Sequence, residues 1–222
     1  GTIKNKTKDN KTFFVETTIS PILNIDNEIM EFISIKNDVT ELITNKELLI
    51  NQLLIDHLTK IPNRLKLKND LKKLNISTLI LINIDGFQII NNLFGFYFGD
   101  QVLIYLSEIL IEIVKENEAK LYRVSSDEFT ILFQEDLEKD LIEKTIKEIL
   151  KRIEQNPFNF NSINFDIDLS FGVTITNSKE KNMILALAET AMSTARKNNS
   201  LFEIYSENID PQERYEHNFQ WN

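Results

Sequence analysis

The spacing of apolar and polar positions divides the chain into predicted strands and helices. Residues 11–19 and 29–35 are rich in β-branched and aromatic side chains and predict two strands, joined by a turn that begins at Pro21. Apolar residues at every third or fourth position predict helices over 39–58, 65–74, 101–114, 137–153 and 182–197. Shorter apolar runs predict further strands over 78–84, 121–124, 129–133, 165–175 and 201–205.

The order of these elements predicts the fold class. After residue 57, helices and strands are interspersed, and two of the strands flank a short turn at 125–128 as a hairpin. This order predicts one α/β (α+β) sandwich, in which helices pack over a central, mostly antiparallel sheet. Two leading strands and a connector helix over 39–56 come before it.

The connector helix allows two interpretations. Its apolar positions approach heptad spacing, but Lys46 interrupts the seam and the helix spans fewer than three heptads. It is either a connector that packs on the next domain or a signalling helix that pairs two copies of the chain.

Composition narrows the possible functions. The 222 residues include no cysteine and two histidines and carry a net charge of −9. Disulfides and cysteine metal sites are therefore excluded, and a nucleic-acid surface, which needs basic residues, is not expected. No apolar run approaches the roughly 20 residues of a membrane span. A cytoplasmic protein is the expectation from this composition.

Polar residues follow two of the predicted strands at the points where each strand ends or begins. Asn83 and Asp85 close the strand over 78–84 and lie on one face because side chains alternate. Asp127 and Glu128 lie at the hairpin turn. If the two strands are neighbours, these side chains meet at one edge, where carboxylates and substrate phosphates suit Mg²⁺. The alternative is that they are helix caps, Asp85 among them, or solvated turn residues.

Four segments carry a family resemblance, namely residues 56–64, 83–100, 125–129 and 188–196. In this order they resemble the GGDEF domain, the diguanylate cyclase fold that condenses two GTP into cyclic di-GMP. The resemblance implies a GGDEF-like domain over 57–206, a nucleotidyl-cyclase-like sandwich that works as a homodimer with GTP and Mg²⁺.

The flanking segments also resemble known modules. Residues 1–38 resemble the strands of the second half of a PAS sensor domain, and residues 39–56 form the connector. The tail over 207–222 resembles a linker, which in related multidomain proteins leads to an EAL phosphodiesterase domain. The chain is thus expected to be a piece of a longer signalling protein.

The resemblance assigns roles to particular residues. It implies guanine recognition by Asn91 and Asp100, although Asp100 could instead cap a helix that starts at Gln101 and Asn91 could be a turn residue. It implies a phosphate and nucleotide contact set that consists of Gly86, Phe87, Gln88 and Arg196. It implies that the metal is held by Asp127, the Ile84 carbonyl and Asn83, and that Glu128 activates the attacking 3′-hydroxyl.

Several residues depart from the family pattern. Asn83 replaces a metal-binding Asp, Gln88 replaces a phosphate-binding Lys, and Ser200 replaces an Arg. Ser125 and Ser126 replace two glycines, where a positive φ would cost about 1–2 kcal/mol. Together these changes predict a loss of roughly 10²–10⁴-fold in rate. The family's inhibitory Arg-x-x-Asp site is also missing, since residues 116–119 read Glu-Asn-Glu-Ala.

Three hypotheses remain open at this level. The leading one is a degenerate GGDEF domain that binds GTP as a regulatory module and has weak or no cyclase activity. The second is an active diguanylate cyclase that tolerates the changes. The third is a signal-transmitting scaffold that binds no nucleotide.

Overall fold

The computed structural model describes residues 1–161, 163–177 and 182–205 and divides into two compact units at Leu53 and Leu54. The tail predicted to be a linker lies outside the described residues. No described helix is long and apolar enough to cross a bilayer.

The first unit is a three-stranded antiparallel sheet followed by a helix. Its elements are β1 (Thr2–Lys6), β2 (Thr12–Leu23), β3 (Ile29–Asp38) and α1 (Thr40–Leu53). Pro21, predicted to begin a turn, instead continues β2 opposite Phe32. The strand tolerates proline there because β1 pairs only with 12–16, so this part of β2 has a free edge. The turn itself is built by Asn24, whose side chain accepts two backbone hydrogen bonds.

The second unit holds the predicted sandwich. Its elements are α2 (Arg64–Leu71), β4 (Ile76–Ile84), α3 (Phe87–Phe94), α4 (Phe96–Glu116), β5 (Lys120–Arg123), β6 (Glu128–Phe133), α5 (Lys139–Gln155), β7 (Phe158–Phe160), β8 (Ile163–Phe165), β9 (Leu169–Asn177), α6 (Ile184–Asn198) and β10 (Glu203–Ile204). The main sheet has the order β10-β9-β4-β6-β5, and only β9 and β10 run parallel. The predicted fold class is therefore confirmed.

The central strand β4 is buried on both faces, and its alternating side chains separate two layers of helices. Leu79 and Leu81 pack with residues of α2 and α6. Ile80 and Ile82 pack with residues of α3, α4 and α5 on the other face. This burial explains why the strand reads as a continuous apolar run in the sequence.

Gly172 in β9 allows α6 to lie directly on the sheet. A Cβ at this position would overlap the Ala188 carbonyl oxygen and would lie 2.6 Å from the Met192 amide nitrogen. Only a residue without a side chain permits such a close approach. The contact sets the height of α6 over the sheet and so determines what the end of this helix can reach.

Besides the turn at Pro21, two local expectations were wrong and two short strands were not predicted. Helix α4 begins at Phe96 rather than Gln101, because Gly95 has φ 86° and interrupts the helical backbone between α3 and α4. Asp85 does not cap α3, whose N-cap is Gly86 with φ 65°. The strands β7 and β8 were not predicted, since each has only three residues, which is too short a run for alternation to indicate a strand. Asn63 caps α2, because its side-chain oxygen accepts hydrogen bonds from the Leu65 and Lys66 amides.

We predict that Gly172→Ala destabilises the second unit by about 1–3 kcal/mol, because the added methyl group forces α6 away from β9. Urea unfolding measures the change in the free energy of unfolding. Thr174→Val in the same strand is the matched control, since its buried hydroxyl has no hydrogen-bond partner among the described residues. An unchanged midpoint for Gly172→Ala would show that α6 can shift freely.

Candidate functional site

The site residues form one row across three strands. Because β4 is antiparallel to both neighbours, its C-terminal end lies beside the first residues of β6 and β9. Asn83 is directly opposite Glu128 on one side and Ser170 on the other. The two strands β4 and β6 are therefore neighbours, which is the condition under which these side chains were expected to meet. Side chains directly opposite each other share a face, and here it is the face that carries α6.

Arg196, near the end of α6, joins the residues at this edge. Its Nη2 donates to Asn83 Oδ1 at 2.7 Å and to Asp85 Oδ1 at 2.6 Å. Its Nε donates to Ser170 Oγ at 2.9 Å. The Ser170 hydroxyl in turn lies 2.8 Å from both carboxylate oxygens of Asp85. One guanidinium therefore contacts acceptors from β4, from β9 and from the residue that follows β4.

Asn83 links this arginine to the carboxylate at the turn. Its Nδ2 donates to Asp127 Oδ2 at 3.1 Å, while its Oδ1 accepts from Arg196. The other oxygen of Asp127 accepts from the Ser126 hydroxyl at 2.8 Å. The Ile84 amide donates to the Asp127 carbonyl at 3.2 Å, which holds the turn against the end of β4.

Arg123 holds the turn that carries Asp127 in place. The guanidinium donates to the Ser126 carbonyl at 2.6 Å and to the Asp56 carboxylate at 2.9 Å. Neither Ser125 nor Ser126 adopts a positive φ. The backbone strain predicted for these two serines is therefore absent, because the turn has a conformation that residues with a side chain adopt readily.

The surroundings of Glu128 change the pKa of its carboxyl group. Burial raises its pKa to about 7, and the nearby charges of Glu189 and Asp127 act in the same direction. The positive charges of Arg64 and Arg196 oppose the rise but do not cancel it. A carboxyl group with such a pKa changes its charge near neutral pH.

The predicted guanine-binding residues lie on the helical pair α3 and α4. The Asn91 carboxamide rests against Gly99, where a Cβ would overlap its oxygen. Asp100 follows within α4, so it is not a helix cap. Neither side chain forms a hydrogen bond or ion pair with another described residue, and both are half-buried. No hydrogen bond among the described residues links them to the Arg196 network.

The predicted phosphate loop begins α3. Gly86 and Gln88 are exposed at the start of this helix, whereas Phe87 is buried in the core. Amide groups at a helix start attract anions. Ser200, where the resemblance implies an arginine, donates through its hydroxyl to the Glu203 carboxylate at 2.9 Å. The expected positive charge is therefore replaced by a contact to a negative one.

The residues present do not fit a Mg²⁺ site in this arrangement. Magnesium requires near-octahedral oxygen ligands at about 2.0–2.1 Å, but each side-chain oxygen of Asn83 and Asp127 already accepts a hydrogen bond within the chain. The Arg196 guanidinium donates to Asn83 Oδ1, so a divalent cation bound to the same oxygen would be repelled by this positive charge. Among the described residues, no group of three acidic, histidine or cysteine side chains is arranged to hold a metal.

Sequence reasoning missed Ser170 and Glu189. Ser170 joins the site only because the strand register places it opposite Asn83. Glu189 joins through the approach of α6 to the sheet. Ser170 lies outside the four segments of the resemblance, and Glu189 lies within the last of them but was assigned no role there.

The site lies within a region that matches known proteins. The family model described as "Diguanylate cyclase, GGDEF domain" matches residues 53–200. The probable diguanylate cyclase DgcI of Escherichia coli is 31% identical over 151 residues, which cover 67% of this chain and 32% of that protein. A diguanylate cyclase of Vibrio cholerae is 30% identical over 150 residues, which cover 62% of this chain and 45% of that protein. The chain thus spans less than half the length of these two relatives.

Solved structures show the same fold. The coiled coil and GGDEF domain of DgcB from Caulobacter crescentus, in complex with c-di-GMP, matches with a TM-score of 0.64 at 20% identity over 75% of this chain and 92% of that chain. The GGDEF domain of PA1120 from Pseudomonas aeruginosa matches with a TM-score of 0.61 at 21% identity over 70% of this chain and 96% of that chain.

We predict that the wild-type protein loses stability relative to Glu128→Gln as the pH rises from about 4.5 to about 7. The folded state keeps its proton in this range while the unfolded chain releases it, so ionisation disfavours folding. Above about 7 the difference levels off, because Glu128 is ionised in both states. Urea unfolding at a series of pH values measures the difference, with the exposed Glu108→Gln as control. Parallel pH profiles for wild type and Glu128→Gln would contradict the assigned pKa.

Proposed function

Because this chain belongs to the GGDEF family of diguanylate cyclase domains, we propose that it is a degenerate member that binds GTP and regulates cyclic di-GMP signalling with weak or no cyclase activity. The proposal combines two parts of the site, a guanine side that retains its polar groups and a phosphate side that has lost positive charge.

The observation that carries the proposal is the state of Asn91 and Asp100. Both side chains remain half-buried and have no hydrogen-bond partner among the described residues. The absence of a Cβ at Gly99, the residue before Asp100, leaves room for the Asn91 carboxamide against α4. Half-buried polar groups gain most from a ligand that satisfies them. A carboxamide on α3 and a carboxylate on α4 offer donors and acceptors for the edge of a guanine base.

The phosphate side supports reduced catalysis. Gln88 is neutral, and Ser200 contacts Glu203 instead of supplying a positive charge. Asn83 is neutral and is held by Arg196 and Asp127. Phosphoryl transfer depends on positioned positive charge around the reacting phosphates. We infer that the domain retains nucleotide recognition while the chemical step is slowed.

The wider assembly belongs to the same proposal. Residues 1–38 are interpreted as PAS-like strands and 39–56 as a connector that passes a signal to a GGDEF-like domain over 57–206. The segment 207–222 is interpreted as a linker toward an EAL domain. In this arrangement the protein is a homodimer, and GTP binding to its GGDEF-like domains regulates the attached modules.

We predict saturable binding of GTP, and not of ATP, in a calorimetric titration. Asn91→Ala and Asp100→Ala are each expected to weaken GTP binding by roughly 10- to 100-fold, since each removes a hydrogen bond to the base. Asn92→Ala, which changes the exposed neighbour of Asn91, is the matched control. Equal affinity for GTP and ATP would exclude guanine recognition.

An active diguanylate cyclase is a second candidate function, and the pKa of Glu128 favours it. A general base works best when its pKa lies near the operating pH, and burial gives Glu128 a pKa of about 7. Glu128 would accept the proton of the 3′-hydroxyl as that oxygen attacks the α-phosphate of a second GTP. Pyrophosphate then leaves as the new phosphodiester bond forms.

We predict that any cyclic di-GMP formed by the wild-type protein disappears in Glu128→Gln. Chromatography of the nucleotide products, at high protein concentration and with either Mg²⁺ or Mn²⁺, measures the yield. Glu108→Gln should leave the yield unchanged. Product that persists in Glu128→Gln would assign the proton transfer to another group, and no product in the wild type would rule out this second function.

A further inference from the structure

The polar and acidic side chains at the end of β4 are already paired with a positively charged side chain of the same protein, that of Arg196. The guanidinium of Arg196 lies within hydrogen-bond distance of Asn83, Asp85 and Ser170. The Arg196 side chain is 47% exposed and that of Asp85 is 36% exposed, so water also reaches this position. A positive charge here offsets the repulsion between Asp85, which accepts from Arg196, and Asp127, which accepts from Asn83.

Asn83 is the residue that makes this arrangement possible. A carboxamide both accepts and donates, so it accepts from Arg196 through Oδ1 and donates to Asp127 through Nδ2. An aspartate at position 83 has no proton to donate toward Asp127. It would instead place two carboxylate oxygens about 3 Å apart, which requires either a shared proton or a cation between them.

Arginine, rather than lysine, suits the position for a geometric reason. The planar guanidinium presents several N–H groups in a fixed fork, and here Nε and Nη2 donate to three different side chains. An ammonium group is a point charge on a flexible stem and does not span these acceptors in the same way. Asn83 and Arg196 are therefore complementary to each other.

We propose that Arg196, held by Asn83, fills the cation position of this site, so that the folded protein takes no divalent metal ion between Asn83 and Asp127. The inference rests on the proposed nucleotide site and concerns its phosphate end. Its test uses no nucleotide, so a failure of GTP binding and a failure of this inference are distinguishable.

The experiment is a titration with Mn²⁺ alone, in which the electron paramagnetic resonance signal of free Mn²⁺ reports the bound fraction. The wild-type protein is expected to leave the signal of free Mn²⁺ unchanged apart from weak surface binding. The variant Asn83→Asp with Arg196→Ala restores a carboxylate opposite Asp127 and removes the guanidinium. It is expected to bind Mn²⁺ stoichiometrically, with competition by Mg²⁺ and a loss of binding when Asp127→Asn is added.

Thermal unfolding gives a second readout. At a Mn²⁺ concentration about 100 times the dissociation constant, the unfolding midpoint of the double variant should rise by roughly 5–10 °C. The wild-type midpoint should be the same in Mn²⁺ and in a chelator. Asn92→Asp on the exposed face of α3, combined with Arg196→Ala, is the matched control, because it has the same net charge as the double variant but places the new carboxylate away from the site and should gain no stoichiometric response.

Single variants keep the test valid if the double variant does not fold. Arg196→Ala is expected to bind Mn²⁺ at least roughly tenfold more tightly than the wild type, whereas Arg196→Lys, which retains a charge, is expected to gain less. Stoichiometric Mn²⁺ binding by the wild type that Asp127→Asn abolishes would overturn the proposal. Absence of Mn²⁺ binding in every folded variant would overturn it as well, since the freed oxygens would not form a cation position.

Discussion

The antiparallel pairing of β4 with β6 on one side and β9 on the other is the constraint on which the whole site depends. Burial on both faces fixes this strand in the middle of the sheet, and the ladder then places its last residues beside the first residues of both neighbours. A slip of one residue would turn Asn83 to the opposite helical layer. The apolar run of β4 therefore determines the positions of the polar site residues at the C-terminal end of the strand.

Charge balance at that end of the sheet explains several substitutions at once. Asn83 and Ser126 were interpreted from the sequence as separate departures from the family pattern, and Arg196 as a phosphate contact. In the structure each donates to or accepts from an acidic group or its partner. They form one hydrogen-bonded network with low net repulsion, and its geometry disfavours a metal ion at the same place. The changes are thus coupled, and their effects on function are not additive.

The two sides of the site differ in how strongly the fold restrains them. The Arg196 network is tied to three strands, to α6 and, through Arg123, to the segment before α2. The guanine side depends on one helical pair and on the small residue at position 99. The phosphates of a nucleotide bound there would approach Arg196, whose guanidinium already donates to Asn83, Asp85 and Ser170. The domain can therefore keep nucleotide binding while its catalysis is reduced.

The sequence by itself determined the element types, the sandwich and the family, because local periodicity and short motifs carry that information. It also placed Asn83, Asp85, Asp127 and Glu128 at the ends of two strands, but only the structure shows that these strands pair. It did not determine the negative φ of Ser125 and Ser126, the early start of α4, or the target of Arg196. Those depend on contacts between residues distant in sequence, above all the register that sets Ser170 opposite Asn83 and the close approach of α6 over Gly172. Only the packed tertiary structure brings such residues together, since no local pattern encodes a distance across a sheet.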